Sequence, residues 1–154
     1  MPRLDPQIRE MVLTLRRRLA DAAVEWALTG SASFVLQGVP LEPDDVDVQT
    51  TKAGACAIEE CFSDDVVEPV SFAESPTIRS HFGAVDVNGV RVEVMGDLQK
   101  RVDGGWEPPV DVTEHRKYVS LGPDRIPVLS LEYEARAYEK LGRTDRAALL
   151  RTYA

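Results

Sequence analysis

In the segment EPDDVDVQT, Asp45 and Asp47 flank a single valine, and a Gly30-Ser31 pair closes an apolar run some fifteen positions earlier, in LTGSASFVLQG. Residues two apart in an extended strand share a face, so Val46 and Val48 turn to one side and both carboxylates to the other. Two carboxylates on one face suit Mg²⁺, a hard cation that binds through a few acids together with substrate phosphates. Gly30 allows a ligand to approach the backbone closely, and Ser31 stands where a helix begins, with free N–H groups and the positive end of the helix dipole. Phosphate fits such a place. Together the two pieces would hold a nucleoside triphosphate and its metal. An Asp-x-Asp pair on its own arises by chance in an acidic chain, and its plain reading is a solvent-facing strand, so the context carries the weight.

The elements that must position these residues can be read from pattern. Asp5 and Pro6 start a helix whose apolar stripe is Ile8, Val12, Leu15, Leu19 and Ala22, with Arg16, Arg17 and Arg18 on a solvated face. Val24–Leu28 reads as a buried strand ended by Thr29-Gly30-Ser31, followed by a short helix over 32–37 closed by Gly38. A strand carries Asp45-Val46-Asp47-Val48, and Thr50 or Thr51 caps a helix reaching about Phe62. Val66–Val70 is a further strand. In GAVDVNGVRVEV, Asn88-Gly89 is a favoured two-residue hairpin turn between alternating runs, so Val90, Val92 and Val94 point one way and Arg91 and Glu93 the other.

Gly104-Gly105-Trp106 and Pro108-Pro109 mark an irregular loop, and His115–Leu121 a strand. Ser130 caps a helix over 131–141 ended by Gly142, and Thr144 caps a last one through Tyr153. Helices mixed with short strands define an α+β domain, and 154 residues suffice for one domain, 1–154, with its own core.

Leu28-Thr29-Gly30-Ser31, a spacer and Asp45-Val46-Asp47-Val48 resemble the signature of the polymerase-β-like nucleotidyltransferase superfamily. Val92-Glu93-Val94 matches the third acid that its members carry on a later strand. The late stretch IPVLSLEYEARAYEKLGRTDRAALL is similar to the helical tail of small bacterial nucleotidyltransferase-like proteins of toxin-antitoxin and antibiotic-modifying kinds. The resemblance implies a short mixed sheet flanked by helices with a helical C-terminal tail. It further implies that Gly30 and Ser31 bind the triphosphate, that Asp45 and Asp47 bridge two Mg²⁺ ions, and that Glu93 completes the metal site and takes the acceptor's proton. Glu93 is longer than the aspartate common at that position.

Around this core stand less determined residues. Arg91 shares the face of Glu93 and is a candidate either for phosphate contact or for neutralising that carboxylate. Lys140 is a candidate for the basic residue that relatives bring from the tail to the triphosphate, against the plainer reading of a surface lysine. Arg79 and His81 lie near the expected cleft, and Trp106 either stacks on a substrate ring or pins its own loop.

The totals exclude some classes. A formal net charge of −8 disfavours broad attraction to nucleic acid and suits a cationic or metal-chelated small substrate. The charged start MPRLDPQIRE lacks a secretory pattern and no apolar run could span a bilayer, so a cytoplasmic protein is expected. Cys56 and Cys61 fall on different faces of a helix, which disfavours a disulfide, and no Cys/His cluster offers a zinc site. The resulting expectation is a metal-dependent transfer of a nucleoside monophosphate from an NTP to the hydroxyl of a small-molecule, RNA or protein acceptor. The alternative is an inactive nucleotide-binding or regulatory module of the same fold, working with a partner protein. A D-x-D glycosyltransferase ranks below both, because no long βαβ region is present.

Overall fold

A computed structural model describes residues 3–154; Met1 and Pro2, which open the charged N-terminal stretch, lie outside. Helix α1 (Pro6–Leu19) is capped by the Asp5 carboxylate, which accepts from the Gln7 N–H, and it buries Ile8, Met11, Val12, Leu15 and Leu19. It ends before Ala22, the last residue expected in its stripe. Strand β1 (Trp26–Thr29) leads directly into α2 (Gly30–Leu36), whose first turn contains Gly30 and Ser31. Strand β2 (Val46–Thr50) begins one residue after Asp45, so the first aspartate stands on the bend entering the strand rather than within it. Thr51 caps α3 (Lys52–Cys61) by accepting from the Gly54 N–H.

Strands β3 (Val66–Glu74), β4 (Ile78–Val87) and β5 (Val90–Val102) form a meander, with β4 and β5 joined at Asn88-Gly89. Both turn residues have positive φ, as the two-residue hairpin requires. β3 and β5 each run well beyond the segments expected from alternation. The Gly-Gly-Trp loop contains a two-residue strand, β6 (Gly105–Trp106), paired with β5, and a short helix, α4 (Val112–His115), follows. Strand β7 (Arg116–Leu121) turns back into β8 (Asp124–Leu129). The segment from Ile126 to Leu129, which opens the stretch compared with a helical tail, is therefore sheet, and the helix begins after Ser130. Ser130 caps α5 (Leu131–Lys140), accepting from the Tyr133 N–H. Arg143, not Thr144, occupies the cap position of α6 (Thr144–Tyr153), and no side chain caps that helix.

The strands order as β3-β4-β5-β2-β1-β8-β7, with β6 off the path on β5. The sheet is mixed: β2 runs parallel to β5 and β1 parallel to β8, while the other neighbours are antiparallel. Val46, Val48, Val92 and Val94 face α1 and α3 and are essentially sealed from solvent. Fully burying four such side chains contributes on the order of 1.5–3 kcal/mol each. The opposite face of the same strands is left for polar residues, under α5. Phe34 of α2 and Leu131, Ala135, Ala147 and Leu150 of α5 and α6 make a second apolar cluster that fixes the tail against the Gly30 bend. Among the described residues no helix is long and apolar enough to cross a membrane. Cys56 and Cys61 are exposed free thiols.

Candidate active site

The parallel pairing of β2 with β5 puts Asp47 directly beside Glu93. Asp45, on the bend before β2, joins them: ligand oxygens of Asp45, Asp47 and Glu93 all lie within 4.8 Å of one another. The three acids thus converge on one face from two separated segments. The valines between them anchor that geometry, because a shift of one residue in either strand would send the acids into the core.

Burial is the main cause of an Asp47 pKa pushed up to about 7, with the charges of Asp45 and Glu93 and a hydrogen bond to Glu93 adding to it. Asp45 is also raised, first by burial and then by Glu93 and Asp44, with Arg91 opposing. A set of carboxylates that resists ionising together is a set that a divalent cation stabilises, since the cation supplies the missing positive charge. Three hard oxygen donors fit Mg²⁺.

Gly30 forms the neighbouring wall. Its φ is +74°, and a Cβ at this position would collide with the Asp47 carboxylate. The close approach of the β1–α2 bend to the acids therefore demands glycine. Thr29 does not cap α2. Its hydroxyl instead donates to Glu134 at 2.6 Å, and the Gly30 N–H points to the same oxygen at 3.4 Å. Glu134 is buried beneath the bend, and burial pushes its pKa up to about 7 in spite of those donors.

The cleft beside the acids, about 240 Å³, lies between the β2–β5 floor and α5. Thr29, Gly30, Asp47 and Glu93 line one part, Met95, Leu98 and Ile78 another, and Arg143 reaches it from the turn between α5 and α6. Lys100 and Gln49, both almost fully buried, complete the floor. The Lys100 ammonium donates to the Tyr133 hydroxyl at 3.1 Å, and burial lowers its pKa. His115 stacks on Tyr133, with ring centroids 4.0 Å apart.

Ser31 is half-buried in the first turn of α2. Arg91 bridges two acids, Glu93 at 2.9 Å and Glu68 at 3.1 Å, the neutralising arrangement of its two open readings. Lys140 is paired with Glu107 at 2.9 Å on the exposed side of α5. Arg79 bonds Gln99 and lies over the Trp106 ring at 4.3 Å, so Trp106 pins its own loop. His81 packs on Phe72 at the sheet surface.

Four cleft residues escaped the sequence reading. Gln49 was within reach of it, since the alternation that pairs Asp45 with Asp47 also puts Gln49 on their face. Lys100 was hidden by a bulge at Asp97, where two residues of β5, Asp97 and Leu98, oppose one of β4, Ser80, and the Asp97 φ is +50°. Glu134 and Arg143 look like ordinary helix-end charges until the tail is folded onto the sheet.

The family model for aminoglycoside-2''-adenylyltransferases matches residues 11–150. The chain belongs to that family. A solved Thermotoga maritima protein assigned as a nucleotidyltransferase is 44% identical, with a TM-score of 0.87 over 98% of this chain and 94% of its own. The chain also shares its fold with the lincosamide adenylyltransferase LnuA, solved with lincomycin bound. That match has 10% identity and a TM-score of 0.60 over 98% of this chain and 99% of the other. ANT(2'')-Ia in complex with adenylyl-2''-tobramycin aligns at 7% identity and a TM-score of 0.57, over 94% and 95% of the two chains. No curated protein matches the chain in sequence. The polymerase-β-like α+β fold and the nucleotidyltransferase kinship expected from the Gly-Ser and Asp-x-Asp motifs are borne out.

Proposed function

We propose that the protein is a metal-dependent nucleotidyltransferase that moves a nucleoside monophosphate from an NTP to an acceptor hydroxyl and releases pyrophosphate. The observation that carries this reading is the convergence of Asp45, Asp47 and Glu93 beside the Gly30 bend. Asp45 and Asp47, with Glu93, would hold Mg²⁺, two ions being expected. Bound there, Mg²⁺ neutralises triphosphate charge and polarises the phosphate under attack.

The remaining chemistry belongs to the chain. Gly30 and Ser31 would receive the triphosphate, with Arg143 as a cation lining the same cleft. Arg91 and Lys140 would reach phosphate only by exchanging their present acid partners. Glu93 would take the proton from the acceptor hydroxyl as its oxygen bonds to the α-phosphorus; the bond from that phosphorus to the bridging oxygen breaks, and pyrophosphate leaves with the electron pair. The Arg91 N–H held on Glu93 fixes that carboxylate's orientation. The names of the family and of its structural neighbours support ATP as donor and a small hydroxylated acceptor, and the acidic balance of the chain suits a cationic one. A cytoplasmic setting follows from such substrates.

The test is transfer of label from α-labelled NTPs to a panel of small hydroxylated acceptors with Mg²⁺, comparing wild type with the Asp45→Asn, Asp47→Asn double variant. Loss of at least about a hundredfold in the variant is expected for removal of metal-holding acids. Equal transfer by both would remove these acids from the mechanism, and NTP binding without transfer by either would leave a nucleotide-binding module.

A further inference from the structure

Gln49 is 6% exposed, lines the cleft two residues beyond Asp47, and its side-chain carbonyl oxygen is buried without a hydrogen-bond partner. Leaving such a group unpaired costs free energy that nothing in the protein returns. Close by, Lys100 is 5% exposed and has one side-chain partner, the Tyr133 hydroxyl, for an ammonium with three N–H donors. The bulge at Asp97 is what brings Lys100 to this face: strict alternation along β5 from Glu93 would turn it away. The walls around the two polar groups are apolar, formed by Ile78, Met95, Leu98 and Leu141. This is the make-up of a small-molecule subsite, apolar walls with a few convergent polar groups.

The same cleft contains Gly30 and Arg143, the groups assigned above to the triphosphate. One ligand filling it is therefore anionic at one end and apolar, with a hydrogen-bonding edge, at the other. That describes a nucleotide lying along the cleft, with its base over Met95 and Leu98. The acceptor then approaches from the open flank of the acids, where Asp44 and Asp45 stand at the protein surface. Resting on the nucleotidyl-transfer reading, we propose that Gln49 and Lys100 are the base-recognition residues of the donor nucleotide, Gln49 pairing with the edge of adenine. A carboxamide presents one donor beside one acceptor, the complement of adenine's amino group and adjacent ring nitrogen. Lys100 supplies a further donor to a ring nitrogen.

The test is calorimetric binding of Mg-ATP, Mg-GTP, Mg-CTP and the base-free probe Mg-tripolyphosphate to wild type, Gln49→Leu and Lys100→Met, each checked for an unchanged melting profile. Gln49→Asn, with the same carboxamide on a shorter arm, serves as the conservative variant. Wild type is expected to prefer ATP. Gln49→Leu should lose about tenfold in ATP affinity and most of its preference among bases, the scale of one good bidentate base contact. Gln49→Asn should retain part of the preference, and tripolyphosphate should bind all four proteins alike. Unchanged ATP affinity in Gln49→Leu would overturn the proposal. So would a variant whose KM rises for the acceptor and not for ATP, because the cleft would then belong to the acceptor. A wild-type protein that binds neither ATP nor tripolyphosphate would instead sink the nucleotidyl-transfer reading, and this inference with it.

Discussion

Glu134 is carried by the first turn of α5 into a fully buried position beneath the Gly30 bend, where it accepts from Thr29 and Gly30. Its pKa of about 7 in the folded protein, against an ordinary value of 4.5, ties stability to pH. The folded chain keeps a proton that the unfolded chain releases between these values. Its contribution is therefore fully present below about 4.5 and is lost as pH rises through about 7. Glu134→Gln keeps an acceptor for Thr29 and removes the titration. The variant is expected to be less pH-sensitive than wild type between pH 4.5 and 7, and more stable at pH 8 by up to about 3 kcal/mol. Urea unfolding at a series of pH values checks this. Asp47 shifts in the same direction, so some slope persists in the variant.

At the scale of elements, β5 does the most positioning. One end pairs with β2 to bring Glu93 to Asp47, and the other delivers Lys100 after the bulge. Between them Gly96 lets α3 lie against the strand: a Cβ there would stand 2.7 Å from the Thr51 carbonyl oxygen and 3.0 Å from its carbon, backbone that cannot yield. Gly96→Ala is expected to destabilise the protein by about 1–3 kcal/mol, read as a lower denaturant midpoint with little change in m. What sequence could reveal follows from the range of the forces involved. The caps at Asp5, Thr51 and Ser130, the Asn88-Gly89 turn and the valine alternation are local and were legible, as were the acids they aim. The bulge at Asp97 breaks the period and hid Lys100. Strand β8 was not read from the sequence; it lies between β1 and β7, paired to both. One of those partners, β1, is distant in the chain.

Across the whole molecule, the sheet divides labour between its faces. One is an aliphatic core under α1 and α3; the other, under α5, collects Asp47, Glu93, Gln49 and Lys100. Keeping three acids together in a chain of net charge −8 opposes folding through mutual repulsion, and that cost is relieved by a cation between them. On the proposed reading, the fold is primed for metal before any substrate arrives. Titrating the protein with Mn²⁺, and following the free-ion signal by electron paramagnetic resonance, measures this directly. Wild type should bind the ion at pH 8, where Asp47 is ionised, and Asp47→Asn should bind it about tenfold more weakly or worse. Equal Mn²⁺ affinity in the two proteins would contradict the account.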